Sequence, residues 1–340
     1  MPKAKILAAI MIVVALALGG FLAYHHWHAD SSQNQRERLL SLMPEDASAV
    51  MYVDAAQLHS SPFLVALFRL APKVAPDNDY AQFLKETGFN YETDLDRMAL
   101  AINRQSPNAT VFAVAEGKFD RKKIEAFAAQ YGSLKTANGE TLFAVPLNGA
   151  NRKAYFTFLS NDRVAWANDS SYFFQKPRSG SANNWSEHFL RVAGTPIFGV
   201  LRQDAETGEA LAAQAPGGFR SPQLATLLAE LQWISISAKP EGDSLQVVLD
   251  GECPTETTEH QLKDMLSGLV VLAQIGLNDP KTRKRLDPTV REGYLQLLQS
   301  ADIQQVERGT SRSVRVIFEV SPKLLVAEKN AGSGADPAGH

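Results

Sequence analysis

The chain has 340 residues, which is enough for two ordinary domains. Its 34 Lys and Arg nearly balance its 37 Asp and Glu, and a net charge of -3 provides no overall positive field for nucleic acid. The single cysteine, Cys253, excludes an intrachain disulfide and a Cys-rich zinc or iron–sulfur site. We therefore expect no nucleic-acid partner, and domains that are held together by their apolar cores.

An uncharged segment of 19 residues, 6–24, lies near the start of the chain. As a helix it would span roughly 28 Å, close to the hydrocarbon thickness of a bilayer. Lys3 and Lys5 precede it, and the next basic residue is Arg36, which predicts a cytoplasmic amino end. We expect an uncleaved single-pass signal anchor in the inner membrane, with the bulk of the chain in the periplasm. A signal peptide cleaved after residues 15–17, or a buried soluble helix, is the alternative.

Three histidines follow this segment within Ala23–Asp30, AYHHWHAD. Tyr24 and Trp27 are predicted to lie at the membrane interface, where amphipathic aromatic rings are enriched. If the helix continues, His25 and His28 share a face and form half of a metal site, with no local residues to complete it. The pattern favours the exit of an anchor over metal binding or pH sensing, so we expect no metal and no cofactor.

The rest of the chain shows a pattern of strands and helices that occurs twice. The first half is predicted to have strands at 49–54, 98–103, 110–115, 142–145, 153–159 and 163–168, with helices at 62–70, 80–86 and 121–131. The second half is predicted to have strands at 197–201, 233–238, 245–250, 303–308 and 313–320, with helices at 221–231, 255–277 and from Pro288. Because residues 268–277 are nearly all apolar, we expect the helix that contains them to be buried and central.

One local correspondence links the halves: a strand, an acidic residue, Gly, two further residues and a helix start. Glu116-Gly117 and Asp250-Gly251 occupy the matching positions. We interpret the chain as α+β, with two similar units of order β-α-β-β-α-β-β, mainly antiparallel sheets and helices on one face. Chance similarity between α+β segments is the alternative. The predicted organisation is a cytoplasmic end 1–5, an anchor 6–24, a juxtamembrane linker 25–43, repeats 44–178 and 179–326, and a disordered tail 327–340.

Short catalytic signatures are absent, including G-x-x-x-x-G-K-[ST], H-E-x-x-H, C-x-x-C and G-x-S-x-G. Cys253 and His260 lie seven residues apart across a helix start, which is more typical of a structural thiol than of a nucleophile and its base. One basic cluster is present, formed by Lys281, Arg283, Lys284 and Arg285. It is typical of a solvated helix connection, with contact to anionic lipid or polymer as the alternative.

The stretch Leu42–Asp54, LMPEDASAVMYVD, resembles the opening of uncharacterised bacterial membrane-anchored exported proteins. In that family a Leu-Pro-x-Asp-like sequence follows the anchor and leads into a strand ending in Tyr-Val-Asp. Here Met43 separates Leu42 from Pro44. Thr87-Gly88-Phe89 is similar to the family as well. The resemblance implies an envelope protein and brings no catalytic residues with it.

The sequence therefore predicts a membrane-anchored extracytoplasmic binding or scaffold protein, and it favours a protein that is not an enzyme. Its expected partners are the lipid bilayer and another envelope protein. The alternative is a hydrolase-like envelope enzyme in which the carboxylates of Asp54, Glu116 and Asp250 act in a cleft between the two repeats.

Overall fold

The computed structural model of the protein describes residues 32–70, 78–103, 109–137, 140–146, 153–173, 185–189, 192, 194–203 and 222–325. These residues form two compact units. The N-terminal unit contains the described residues up to Ser60 and those from 78 to 189. The C-terminal unit contains residues 61–70 and those from 192 onward.

Seven helices, seven strands and a 3-10 turn are described up to residue 189. In chain order, these elements are α1 (Ser32–Leu40), β1 (Ala49–Asp54), α2 (Ala55–His59), α3 (Pro62–Leu70), α4 (Asn78–Thr87), α5 (Tyr91–Asp94), β2 (Leu95–Asn103), β3 (Thr110–Gly117), α6 (Arg121–Tyr131), β4 (Ser133–Ala137), β5 (Glu140–Pro146), β6 (Lys153–Ser160), β7 (Arg163–Ala167), a 3-10 turn (Ser170–Phe173) and α7 (Ser186–Phe189). All but α3 belong to the N-terminal unit.

The N-terminal sheet has the strand order β1-β2-β3-β7-β6-β5-β4, and every neighbouring pair is antiparallel. Helix α6 packs against β4 and β5 and against α4. Asp120 accepts the amide hydrogen bond that starts α6, and the ring of Phe127 on α6 meets Phe83 on α4 edge-to-face at 5.2 Å. The fully buried Val50, Tyr52 and Val114 place the core of this unit on its first three strands.

The remaining elements belong to the C-terminal unit. They are β8 (Ile197–Arg202), α8 (Pro222–Glu230), β9 (Trp233–Glu241), β10 (Ser244–Cys253), α9 (Glu256–Asn278), α10 (Pro280–Arg285), α11 (Pro288–Gln299), β11 (Asp302–Arg308) and β12 (Ser311–Val320). The sheet order is β8-β9-β10-β12-β11, again antiparallel at every step.

Helices α8 and α9 enclose the core of the C-terminal unit. Leu227 of α8, Leu231 just after it and Leu262 of α9 pack with Cys253 and Val314 of the sheet. The Thr255 hydroxyl accepts a hydrogen bond from the amide of Thr258, which caps the start of α9. Asp279 and Asp287 cap α10 and α11 in the same way, each followed by proline at the first helical position.

The structure confirms a mixed fold of helices and antiparallel sheet. Two local expectations were wrong. The strand predicted to stop at Asp250 continues as β10 to Cys253, and β4 was not predicted at all. Strand β10 passes through Gly251, where a Cβ would come within 3.1 Å of a Leu231 methyl group.

The apolar end of α9 is the largest departure from expectation. Residues 268–277 were predicted to be buried, yet Val271, Leu272 and Ile275 are 53%, 61% and 62% exposed. The N-terminal half of α9 supplies the core instead, through Leu262 with the partly buried Met265. The core of the unit therefore does not cover these three apolar side chains near the C-terminal end of α9.

The predicted anchor, residues 6–24, lies outside the described residues, as do the predicted segments 1–5 and 327–340. Within the part of the chain that the structure describes, no helix combines the length and the apolar character needed to span a bilayer.

Candidate functional site: buried charge rows

Four charged residues face one another across four adjacent strands of the N-terminal unit. Asp54 on β1 is paired with Arg97 on β2, Arg97 with Glu116 on β3, and Glu116 with Arg163 on β7. Directly opposed residues of an antiparallel pair point to the same side of the sheet, so all four side chains share a face. We call these four residues the N-terminal charge row.

Opposite charges alternate along this row, and neighbouring side chains form ion pairs. Arg97 Nε lies 3.4 Å from Asp54 Oδ2, and Arg97 Nη1 lies 3.8 Å from Glu116 Oε2. Arg163 donates from both Nε, at 3.0 Å, and Nη2 to Glu116 Oε1. Both carboxylate side chains are only 8% exposed, so the pairs are largely removed from water. Burial at this level requires each charge to be compensated.

Asp54 has two further structural roles. Its Oδ1 accepts a hydrogen bond of 2.9 Å from the amide of Gln57, which makes Asp54 the N-cap of α2. Its Oδ2 lies 3.5 Å from the Tyr52 hydroxyl, which donates to it. Burial, and secondarily the Asp54 carboxylate, raises the pKa of Tyr52 above its ordinary range. The phenol therefore stays protonated and keeps its donor role at any physiological pH.

Two more titratable groups lie close to the N-terminal charge row. Burial raises the pKa of Asp96, and the nearby cations of Lys118 and Arg97 partly oppose this effect. Burial lowers the pKa of His59, while a hydrogen bond with the backbone of Glu92 works in the opposite direction. Both shifts have desolvation as their main cause, which is what a tightly packed interior produces without any ligand.

The C-terminal unit carries a shorter version of the same arrangement. Val200 on β8, Ser235 on β9, Asp250 on β10 and Arg315 on β12 face one another in the same order. Arg315 donates from Nε at 3.0 Å and Nη2 at 2.6 Å to Asp250 Oδ2. The Asp250 side chain is only 1% exposed. We call these four residues the C-terminal charge row, although only the last two carry charge.

The two rows share one detail of geometry. Arg163 and Arg315 each present Nε and Nη2 to a single carboxylate oxygen of the acidic residue on the neighbouring strand. A glycine follows that acidic residue in both units. A Cβ on Gly117 would lie 2.2 Å from the Asp94 carbonyl oxygen, and one on Gly251 would lie 3.1 Å from a Leu231 methyl carbon. A neighbouring group therefore lies close to the glycine in each unit, a backbone oxygen at Gly117 and a leucine methyl group at Gly251.

The carboxylates considered for catalysis are ion-paired within their own units. Asp54 and Glu116 both contact Arg97 in the N-terminal unit, whereas Asp250 belongs to the C-terminal unit and contacts Arg315. Oxygens that accept bonds from arginine, a helix amide and a phenol are not offered to a substrate. The arrangement stabilises charge inside the sheet, and it does not favour general acid–base chemistry.

The other candidate residues also have structural surroundings. The Cys253 thiol lies 3.6 Å from the Gly251 carbonyl oxygen, and burial, together with nearby carboxylates, raises its pKa to about 11. His260 Nδ1 instead lies 2.9 Å from Gln305 Nε2. Among the described residues, no group of three or more His, Cys, Asp or Glu is placed to hold a metal ion.

The predicted interface residues Tyr24 and Trp27 lie outside the described residues, as do the histidines His25 and His28 that were considered for metal binding.

Sequence reasoning missed the arginines of both rows. Arg97, Arg163 and Arg315 were not singled out, although two of them share a local pattern: R-V-A-W from Arg163 and R-V-I-F from Arg315. Strand parity carried a further signal, because Arg97 alternates with Ala99 and Ala101, which are 0% and 1% exposed. An arginine in phase with buried alanines indicates an inward-facing charge that needs an acidic partner.

No family model matches the chain, and no curated protein sequence matches it. Among solved structures, crystal form III of TP0453 aligns with 86% of this chain and 97% of its own length, at 10% identity and a TM-score of 0.47. Crystal form I of TP0453 aligns with 84% of this chain and 93% of its own, at 10% identity and a TM-score of 0.43. Similarity at this level indicates neither a shared site nor a shared function.

Proposed function

We propose that the protein is a membrane-anchored extracytoplasmic binding or scaffold protein, held in the inner membrane by residues 6–24 with its folded region in the periplasm. The observation that supports a non-catalytic role is the surroundings of three carboxylates, those of Asp54, Glu116 and Asp250. These carboxylates are buried and ion-paired, and Asp54 also caps a helix. The uncharged segment and the two lysines before it support the anchor.

We infer in addition that the two units arose by duplication, with helices on one face of each sheet. The strand pairing supports this inference, because similar residues occupy equivalent positions at two successive levels of the sheets. The aromatic residues Tyr52 and Phe198, 2% and 0% exposed, each lie two positions before the first member of a charge row. The acidic residues and arginines then match as the pairs Glu116–Arg163 and Asp250–Arg315.

Each unit then adds its own elements between the matching parts. The β4–β5 hairpin occurs in the N-terminal unit, whereas α10 and α11 occur in the C-terminal unit. In both units the last hairpin, β6–β7 or β11–β12, places its final strand beside the acidic strand. A duplicated scaffold with different additions offers surfaces for a partner rather than a single reaction centre.

Membrane topology is the first test of the proposal. In spheroplasts, added protease should digest the region after Arg36 while a fragment containing residues 6–24 stays in the carbonate-resistant membrane fraction. A variant without residues 6–24 is the matched control and should become soluble. Full protection from external protease, or recovery of the whole native chain as soluble protein, would contradict the proposed location.

Partner identification is the second test. Photo-crosslinking in the native membrane, from exposed positions such as Leu134 and Leu159, should capture one envelope protein reproducibly. A hydrolase-like enzyme predicts a different outcome: substitution of Glu116 and Arg163 together would abolish turnover in a screen of envelope substrates while the fold persists. Turnover lost in that way would favour the enzyme over the scaffold.

A further inference from the structure

One face of α9 changes character along the helix. At 100° per residue, Gln261, Asp264 and Gly268 lie on the same face as Leu272 and Ile275. The first three positions are exposed, as solvent-facing residues should be. Beyond Gly268 the face remains exposed but becomes apolar, through Leu272 and Ile275 and also Val271. These three side chains form what we call the α9 apolar patch.

A cluster of cations follows the patch in the next helix, α10. After Asp279, which caps α10, the exposed residues Lys281, Arg283 and Lys284 carry three positive charges within four positions. Large exposed apolar side chains beside clustered cations are typical of a surface that lies in the headgroup region of a bilayer. Three adjacent large apolar residues at more than half exposure are unusual for a surface that meets only water.

We propose that the α9 apolar patch and the cations of α10 dock on anionic phospholipid of the membrane that holds the chain. This inference rests on the proposed function, because the lipid that would contact the patch belongs to the membrane in which the chain is proposed to be anchored. An uncharged segment of 19 residues in the same chain would keep the patch at high effective concentration near lipid. The apolar side chains would enter the acyl boundary, and the cations would remain with lipid phosphates.

Charge favours lipid over a second copy of the chain. Two copies that met patch to patch with their α9 helices parallel would bring one set of Lys281, Arg283 and Lys284 close to the other, because α10 follows α9 directly. Like charges at a closed interface oppose association. Anionic headgroups attract cations instead, and each cation raises the equilibrium constant for membrane binding by about fivefold.

The test uses the full-length protein reconstituted in vesicles. In a Cys253→Ser background, single cysteines replace Leu272 or Ile275, and Gln261 on the same face serves as the matched control position. Each carries an environment-sensitive fluorophore. Lipid-attached quenchers then report contact with the bilayer, in phosphatidylcholine alone and in phosphatidylcholine mixed with phosphatidylglycerol.

Fluorophores at Leu272 and Ile275 are expected to be blue-shifted and quenched by lipid in the anionic vesicles, whereas the fluorophore at Gln261 stays in water. Replacement of Lys281, Arg283 and Lys284 by glutamine should reduce quenching in anionic vesicles more than in neutral ones, by about fivefold in the docking equilibrium for each residue. Glutamate at either patch position should reduce lipid quenching at the other by more than about tenfold.

Two outcomes would overturn the inference. The first is equal water exposure at Leu272, Ile275 and Gln261 in both lipids. The second is protection that rises with the number of chains per vesicle and accompanies energy transfer between differently labelled copies, which would assign the patch to self-association. Carbonate extraction of the same samples reports the anchor separately. Failure of docking with an intact anchor therefore leaves the proposed function standing, and loss of the anchor removes it.

Discussion

The N-terminal charge row has four charged members, whereas the C-terminal charge row has two. Where the first unit has Asp54 and Arg97, the second has Val200 and Ser235. The acidic residue and the arginine on the third and fourth strands are present in both. The shared pair is therefore sufficient for a sheet of this kind, and the two additional charges belong to features specific to the N-terminal unit.

Those features are visible in the contacts. Asp54 caps α2 and accepts from Tyr52, and Arg97 lies between the Asp54 and Glu116 carboxylates. In the matching positions Phe198 has no hydroxyl and Val200 has no charge, so neither residue supplies a carboxylate or a phenol to the C-terminal row. Glu116 has ion pairs with both Arg97 and Arg163, whereas Ser235 stands opposite Asp250 where Arg97 stands opposite Glu116, and the ion pair described for Asp250 is with Arg315.

The largest expected effect is therefore in the C-terminal unit. Arg315→Met removes the 2.6 Å ion pair of the 1% exposed Asp250 carboxylate, and we expect a loss of about 3 to 5 kcal/mol in the free energy of unfolding. Arg163→Met leaves Glu116 with Arg97 and should cost about 1 to 2 kcal/mol. Urea unfolding, with hydrogen exchange of β10 and β3 to separate the units, measures both.

A double variant provides the control for this pair. Asp250→Leu with Arg315→Met removes both charges, and it should recover most of the stability lost by Arg315→Met alone. If the double variant is as unstable as the single one, packing of the arginine side chain, and not charge, explains the loss. Equal costs for Arg315→Met and Arg163→Met would contradict the redundancy of the N-terminal charge row.

The glycines after the acidic residues give the next contrast. Gly117→Ala places a Cβ 2.2 Å from the backbone oxygen of Asp94, which cannot move without breaking its 2.7 Å hydrogen bond from the Lys118 amide. We expect a cost of about 3 kcal/mol. Gly251→Ala places a Cβ 3.1 Å from a flexible Leu231 methyl group and should cost less than about 1 kcal/mol.

Thermal unfolding of the two glycine variants in parallel measures this difference. Each serves as the other's control, since both change one hydrogen into a methyl group at matching positions. A Gly251→Ala cost equal to that of Gly117→Ala would show that both positions resist a side chain for the same backbone reason.

A two-residue change can convert one row into the other. Arg97→Ser alone leaves Asp54 buried without its cation, and it should cost about 2 kcal/mol. Adding Asp54→Val reproduces the pattern of Val200 and Ser235 and removes the uncompensated charge. The double variant should be more stable than Arg97→Ser, apart from about 1 kcal/mol for the lost cap of α2.

A double-mutant cycle in urea quantifies this coupling between the two positions. Asp54→Asn separates the effect of the charge from that of the cap, because it removes the charge while keeping a good N-cap acceptor. Strict additivity of Asp54→Val and Arg97→Ser would mean that the 3.4 Å ion pair contributes nothing, and the contrast between the rows would lose its physical basis.

Much of the fold could be predicted because local signals agree with it. Strand β1 and helix α3 were predicted with the bounds that the structure has, and the helices predicted to start at residues 121 and 288 do start there, after the caps Asp120 and Asp287. Gly88, at φ 74°, follows the end of α4. These features depend on residues close in sequence, where alternation, capping and glycine are informative.

The candidate site was less predictable because it depends on register. Glu116 and Arg163 lie 47 positions apart, and Asp250 and Arg315 lie 65 apart. Each acidic residue was recognised, but its partner is determined by which strands are neighbours. The exposed end of α9 failed for a related reason: Val271 and Ile275 indicate an apolar face, whereas only the tertiary structure decides whether anything covers it.

The smallest expected effect concerns pH and His59 in the N-terminal unit. Burial lowers the pKa of His59 in the folded state below the unfolded value of about 6.5, so the unfolded chain binds a proton more readily. The contribution of His59 to stability is complete above about pH 6.5 and is lost as the pH falls from there towards the lower folded pKa. His59→Gln should flatten this pH dependence.

Free energies of unfolding at several pH values between about 7.5 and 5.5 measure the effect, which should stay below about 1.4 kcal/mol because one group takes up at most one proton over this range. His260→Gln is the matched control, because it makes the same substitution at a histidine that is 58% exposed on α9. An unchanged slope for His59→Gln would place the proton uptake elsewhere. A flattened slope would assign the acid sensitivity of the N-terminal unit to a buried imidazole that has no counterpart in the C-terminal charge row.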